Sequence, residues 1–261
     1  MGEYGGLVHM KIAFSDYDGT LSVPHEGVAA ETITAIHEWR SAGNKFGIVT
    51  GRDHSLIAME TRAHNIPVDF YICCNGAAIH QPDGTPILST PLSCAVMKDF
   101  FHSEHVRSYT DGMLFFTPER AYTYRLRTDV PPSFLTPLNA MEEALHLKDV
   151  VQMGMRFRDR DETLAAFAAI DADFPNVFTG NMNRQFLDLN RAGVNKSTGI
   201  ADFVRHMGWE THELLIIGDD RNDLTMIERY DGYTVRRAQP FMHEAARGVY
   251  DSVGAMLRDH L

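Results

Sequence analysis

Apolar and polar residues alternate along this chain in two different rhythms. Toward both ends, short apolar runs suited to buried strands are separated by stretches of helical periodicity; the middle shows more of the two-residue alternation of half-exposed strands. Lys11 to Ser15, Phe46 to Val49 and Phe70 to Cys74 predict strands. Between them, Val28 to Ala42 predicts a helix with Ile33, Ile36 and Trp39 on one face and Gly43 as its stop, and a second helix runs to about His64 before Pro67. From about Gln81 the rhythm changes. Met113 to Phe116, Ala121 to Arg127, Val150 to Arg158 and Gln185 to Leu189 read as strands, with helices near Leu138 to His146 and Asp161 to Ala172. The first rhythm then returns as a helix, Lys196 to Met207, and a buried strand, Leu214 to Ile217. The expected fold is α/β: a doubly wound, Rossmann-like parallel-sheet core made of residues 1–81 and 187–261, with a smaller α+β cap domain, 82–186, inserted.

Composition narrows the function. With 44% hydrophobic and 23% charged residues the chain reads as globular, and a formal net charge of −11 argues against nucleic acid and anionic membranes as partners. Met1 to Met10 has three glycines and no long apolar run, so no signal peptide is expected, and no apolar stretch is long enough to span a bilayer. Cys73, Cys74 and Cys94 are odd in number and lack metal-site spacing. A cytoplasmic protein, monomeric or weakly dimeric, is expected.

The chemistry gathers where strands end, which is where open parallel sheets bind ligands. After the first strand come Asp16 and Asp18, whose two-residue spacing should direct both carboxyls to one side, with Gly19 for a sharp turn and Thr20 to tie it down. One carboxylate can attack phosphorus while a second serves as acid and then base; the alternative is a turn whose aspartates cap backbone N–H groups. After the second strand, Thr50-Gly51 offers a hydroxyl and open N–H groups to a phosphoryl oxygen, or simply an N-cap. After the last buried strand, Asp219, Asp220 and Asp223 can supply the hard oxygens that Mg²⁺ wants, or can serve a helix dipole. Lys196 opens a helix, the end that disfavours cations, and this suggests a negative charge nearby.

Asp16-Tyr17-Asp18-Gly19-Thr20-Leu21, Thr50-Gly51-Arg52, Lys196 and Gly218-Asp219 through Asn222-Asp223 resemble, in this order, the four signatures of the haloacid dehalogenase superfamily. With Asn75-Gly76-Ala77 they are similar to its Cof-type phosphatase branch. The resemblance implies a magnesium-dependent phosphatase acting on a small phosphorylated metabolite through an aspartyl-phosphate. Asp16 would be nucleophile and metal ligand, Asp18 acid/base with its carbonyl on the metal, and Asp219 a further ligand. Thr50, Gly51 and Lys196 would hold the phosphoryl group with Asn222 close by, and Asp223 would stand in the metal's outer shell. The interval from Thr20 to Thr50 leaves no room for a lid, so the lid must lie between Thr50 and Lys196, as in the branch with an α/β cap after the third strand. One departure is Arg236-Arg237-Ala238, where relatives carry Gly-Asn-Ala.

Two strands of the insert bear on the substrate. Tyr122, Tyr124 and Leu126 share one face, leaving Thr123, Arg125 and Arg127 opposite; Val151, Met153, Met155 and Phe157 share another, leaving Gln152, Gly154, Arg156 and Arg158 opposite. The apolar faces should pack on the insert's helices; the arginine faces should either look toward the core and grip a second anionic or polyhydroxyl part of the substrate, or form a solvated sheet face kept soluble by charge. Two rivals share the motifs: a phosphomutase or phosphotransferase on sugar phosphates, and a non-catalytic sensor, which would need no acid at Asp18.

Overall fold

The computed structural model describes residues 10–125, 134–183 and 185–261. Strands β1 (Lys11–Ser15), β2 (Lys45–Val49), β3 (Phe70–Cys73), β4 (Ala78–His80) and β5 (Pro86–Ser89) open the chain. β6 (Met113–Phe116), β7 (Ala121–Tyr124), β8 (Leu135–Pro137), β9 (Gln152–Arg156), β10 (Phe178–Asn183) and β11 (Phe186–Arg191) follow, and β12 (Glu213–Gly218), β13 (Tyr233–Val235) and β14 (Gly248–Tyr250) close it. Two sheets result, in the orders β14-β13-β12-β1-β2-β3-β4-β5 and β10-β11-β9-β6-β7-β8.

In the first sheet β14 through β3 are parallel, and β4 and β5 extend it antiparallel. Its central strands are apolar on both faces, as a sheet covered by helices requires: Ile12, Ala13, Phe14, Ile48, Val49, Ile216 and Ile217 are fully buried. The helix Ala30–Ser41 packs on Val253–Asp259, and Lys196–Met207 packs on Leu224–Tyr230. Trp39 is fully buried yet keeps its indole N–H satisfied by the Lys45 carbonyl at 2.8 Å, so its whole ring area works for stability. β5 belongs to this sheet although it lies past position 81, and β11, from Phe186, belongs to the other.

The second sheet is antiparallel except where β7 runs parallel to β8. Register places Met113, Met155 and Leu187 in one row and Phe115, Met153 and Leu189 in the next, all buried against the helices Cys94–Phe101 and Arg160–Asp173. Each such side chain contributes roughly 1.5–3 kcal/mol by leaving water. The opposite face turns to the first sheet. There Gln152 donates to the Gly51 carbonyl at 3.4 Å, and Asn190, fully buried, donates to the carbonyls of Cys74 and Val151 at 3.1 and 3.0 Å. His80 on β4 meets the Pro118 carbonyl at 2.7 Å. The helix expected near Leu138 to His146 is instead a 3-10 helix over Met141–His146. No helix among the described residues is long and apolar enough to cross a membrane.

Candidate active site

β1 hands the chain to Asp16, whose N–H continues the sheet by donating to the Ile217 carbonyl at 2.9 Å. Its carboxyl thus emerges beside the end of β12, at the carboxyl edge of the parallel strands. Asp16 is buried, and its Oδ1 accepts from Lys196 Nζ at 2.5 Å. Its Oδ2 is buried without a hydrogen-bond partner among the described residues. Burial pushes its pKa well above the usual carboxylate range; Lys196 opposes this, while Asp223 and Asp219 add to it.

Lys196 opens its helix behind the N-cap Asn195, and the negative charge its place suggested is double. Nζ also donates to Asp223 Oδ1 at 2.6 Å, with the lysine only 1% exposed. Burial works against its charge, but the two carboxylates outweigh it and hold it protonated, its pKa raised. Asp223 spends its other oxygen on its own loop, accepting the N–H groups of Asp219 and Asp220 at 3.0 and 3.2 Å. Asp219 accepts from Thr20 Oγ1 at 2.6 Å; burial pushes its pKa up to about 6 against that hydrogen bond. The loop closes only because residue 19 is glycine: its φ is +90°, and a Cβ there would lie 2.2 Å from Asp219 Oδ2.

One carboxylate oxygen each from Asp16, Asp219 and Asp223 lie within 4.8 Å of one another. Three hard oxygens at that spacing suit a hard divalent cation, and Asp16 keeps one oxygen, Oδ2, without a partner among the described residues, so the cluster can hold a metal ion.

Thr50 follows β2, buried, with its Oγ1 accepting the Arg52 N–H at 3.2 Å. It is not the N-cap of the next helix; Asp53 is, accepting from the Ser55 N–H at 2.9 Å. Asp220 does cap the turn that follows it. Asn222 donates to Asn75 Oδ1 at 3.4 Å, and Asn75 donates to Gln152 Oε1 at 3.1 Å, so one side chain links the loop after β12 to the second sheet.

The Asp18 carboxyl is half exposed and held by Arg52 through two hydrogen bonds of 2.7 and 2.6 Å. Arg52 lies over the Tyr17 ring, 5.2 Å from its centre, and also reaches Glu60 at 3.4 Å. A planar guanidinium fork matches a carboxylate in a way that two-residue alternation cannot anticipate. Arg237 donates to the carbonyls of Gly19 and Thr20, and Arg236 pairs with Asp251 at 2.5 Å.

The four cap arginines separate. Arg156 lies on the face of β9 that carries Gln152 and Gly154, toward the first sheet. Arg125 ends β7 with a φ of +57°, which breaks the alternation, and stacks on Tyr124 at 4.9 Å instead of facing away from it. Arg158 is exposed and pairs with its neighbour Asp159 at 3.4 Å. Arg127 lies outside the described residues. Sequence reasoning set Gln152 on the polar side of an alternating strand but did not foresee its contact with the Gly51 carbonyl. It marked Arg237 only as a departure from relatives, not for its contacts with Gly19 and Thr20.

A family model for haloacid dehalogenase-like hydrolases matches residues 13–254. The chain belongs to that family. Among haloacid dehalogenase-like relatives, pyridoxal phosphate phosphatase YbhA of Escherichia coli (strain K12) is 23% identical over 230 residues, covering 82% of each chain. HMP-PP phosphatase of Klebsiella pneumoniae (strain 342) is 23% identical over 250 residues, 88% of this chain and 85% of its own. In fold the chain is similar to a haloacid dehalogenase subclass IIB sugar phosphatase, with a TM-score of 0.79, 22% identity and coverage of 96% and 97%. It is also similar to a haloacid dehalogenase-like hydrolase from B. subtilis, with a TM-score of 0.81, 18% identity and coverage of 97% and 100%.

Proposed function

We propose that this chain is a magnesium-dependent phosphatase that hydrolyses a small phosphorylated metabolite through an aspartyl-phosphate on Asp16. The observation that carries the reading is Lys196, buried and bridging Asp16 and Asp223 beside Asp219 while Asp16 Oδ2 is left without a partner. A turn capped by aspartates would need neither a buried lysine nor an orphaned carboxylate oxygen. Asp16, Asp219 and the Asp18 carbonyl would hold magnesium, with Asp223 in its outer shell, and the ion would supply charge that lets carboxylates and a phosphate share the site.

Asp16 attacks phosphorus, forming the acyl-phosphate bond as the ester P–O bond breaks. Asp18 gives its proton to the departing oxygen, which it reaches by rotating out of the Arg52 pair. It then takes a proton from the water that attacks phosphorus and frees Asp16 with inorganic phosphate. Lys196, Thr50 and the Gly51 N–H hold the phosphoryl oxygens meanwhile, with Asn222 at their edge. The second sheet and its helices act as a cap over this edge, and Arg156, on the face of β9 toward the first sheet, is of the three described arginines the one placed to meet the rest of the substrate.

Asp16→Asn should abolish turnover with the fold retained, and a quenched single turnover of the wild type should leave the phosphoryl group on Asp16. Asp18→Asn should slow phosphorylation by an alkyl phosphate at least tenfold more than by p-nitrophenyl phosphate, whose leaving group needs no proton. A phosphoryl group trapped on any other residue would overturn the mechanism; activity indifferent to magnesium would overturn the metal's role.

A further inference from the structure

Asp188 lies on β11, on the face of the second sheet that turns to the first, and the proposed mechanism does not use it. Register sets it in one row with Leu114, Gly154 and Asn181, none of them charged. Its remaining neighbour is the Asn75 amide, which also holds Gln152 and receives Asn222. Asn181 turns its amide to Asn190 at 3.2 Å. No cation meets Asp188 among the described contacts, and burial pushes its pKa up to about 7 against the Asn75 hydrogen bond. A carboxyl partly withdrawn from water with no counter-charge is costly unless something completes it.

The space beside it is kept by a glycine. A Cβ on Gly154 would stand 3.5 Å from Asp188 Oδ1 and 3.3 Å from Leu114 Cβ, so any side chain there would grow into the seam at that carboxyl. The other end of the Asn75 bridge is the residue placed at the transferring phosphoryl group. Asp188 is therefore two side chains, Asn75 and Asn222, from the proposed phosphoryl position, on the face of the second sheet that turns to the first.

We propose that Asp188 recognises the leaving group, its carboxyl receiving a hydrogen-bond donor, hydroxyl or ammonium, carried by the substrate beyond the bridging oxygen. This rests on the phosphatase reading and adds the chemistry of the alcohol to it. Asn75 stands beside this carboxyl, and with no side chain at Gly154 that flank of it stays uncovered.

The test compares 3-hydroxypropyl, 3-aminopropyl and propyl phosphate, with p-nitrophenyl phosphate as control. Wild type should prefer at least one donor-bearing ester over propyl phosphate by about tenfold in kcat/KM. Asp188→Ala should bring that ratio near one while p-nitrophenyl phosphate turnover stays within about threefold. Asp188→Asn, which preserves volume and an acceptor, should lose the preference for the ammonium and keep part of that for the hydroxyl. Gly154→Ala should raise KM for the preferred ester alone. No preference in the wild type, a ratio unchanged in Asp188→Ala, or an equal loss on all four substrates would overturn the proposal. Failure of the wild type to hydrolyse any of them would instead sink the phosphatase reading beneath it.

Discussion

Lys196 shows how one residue can be both structural and chemical. Its ammonium sits between two carboxylates, all nearly dry, so removing it leaves Asp16 and Asp223 facing each other without a counter-ion. Breaking such a group from one side costs about 3–5 kcal/mol. Lys196→Met should therefore lose stability of that order in urea melts without metal, and added magnesium should restore part of it. Equal stability of variant and wild type would mean that the triad is not what orders this edge. Asp188 makes the opposite case. Its native pKa of about 7 lies above the ordinary carboxylate value, so the folded chain holds this proton more tightly than the unfolded one. Its contribution to stability is fully present below the unfolded pKa, near ~4, and is lost as pH rises through 7, by at most ~1.4 kcal/mol per pH unit. Asp188→Asn should thus gain on wild type between pH 5 and pH 8; a difference constant with pH would contradict this.

At the scale of elements, what the sequence makes legible is whatever one strand or helix decides locally. β6 and the helix Lys196–Met207 lie where the apolar pattern predicts, and β9 shows its Met153 and Met155 face buried as its alternation requires. β4 and β5 went unforeseen because each is short, and β10, Phe178–Asn183, reads as Phe-Thr-Gly-Asn-Met-Asn, whose apolar face of Phe178 and Met182 is interrupted by Gly180. Such strands owe their conformation to neighbours; β10 is set by six register pairs with β11. The short 3-10 helix over Met141–His146 has the apolar spacing of an α-helix but only Ala144 buried, too little to fix a longer one. The site divides the same way. Asp16, Thr50, Lys196 and Asp219 stand at strand and helix ends that the pattern locates, whereas the Arg52–Asp18 fork, the Arg237 contacts and the Asn75 bridge join residues far apart in sequence. No local period reports those pairs.

Across the whole molecule, the two sheets meet through apolar side chains that include Phe116 and Val151 and through a seam of polar ones. Asn190 anchors it: fully buried on β11, it donates one amide hydrogen to the Cys74 carbonyl beside the first sheet and the other to the Val151 carbonyl beside the second. Its Oδ1 receives Asn181 at 3.2 Å, so the amide has no idle group. Cys74 precedes Asn75, the residue that touches both Asn222 and Gln152, so Asn190 fixes the backbone from which that bridge springs. Asn190→Ala leaves the Cys74 carbonyl with the Ala77 N–H but takes the Asn190 partner from the Val151 carbonyl and the Asn181 amide, a loss of about 1–3 kcal/mol for each group that water cannot reach. The Asn75 amide should then lose its register with Gln152. The expected outcome is a urea midpoint well below wild type together with a smaller m-value, because the sheets no longer unfold as one unit. KM for a phosphorylated metabolite should rise more than KM for p-nitrophenyl phosphate, which needs only the first sheet's loops. An unchanged m-value with both KM values unmoved would show that the seam is held elsewhere and that Asn190 serves β11 alone.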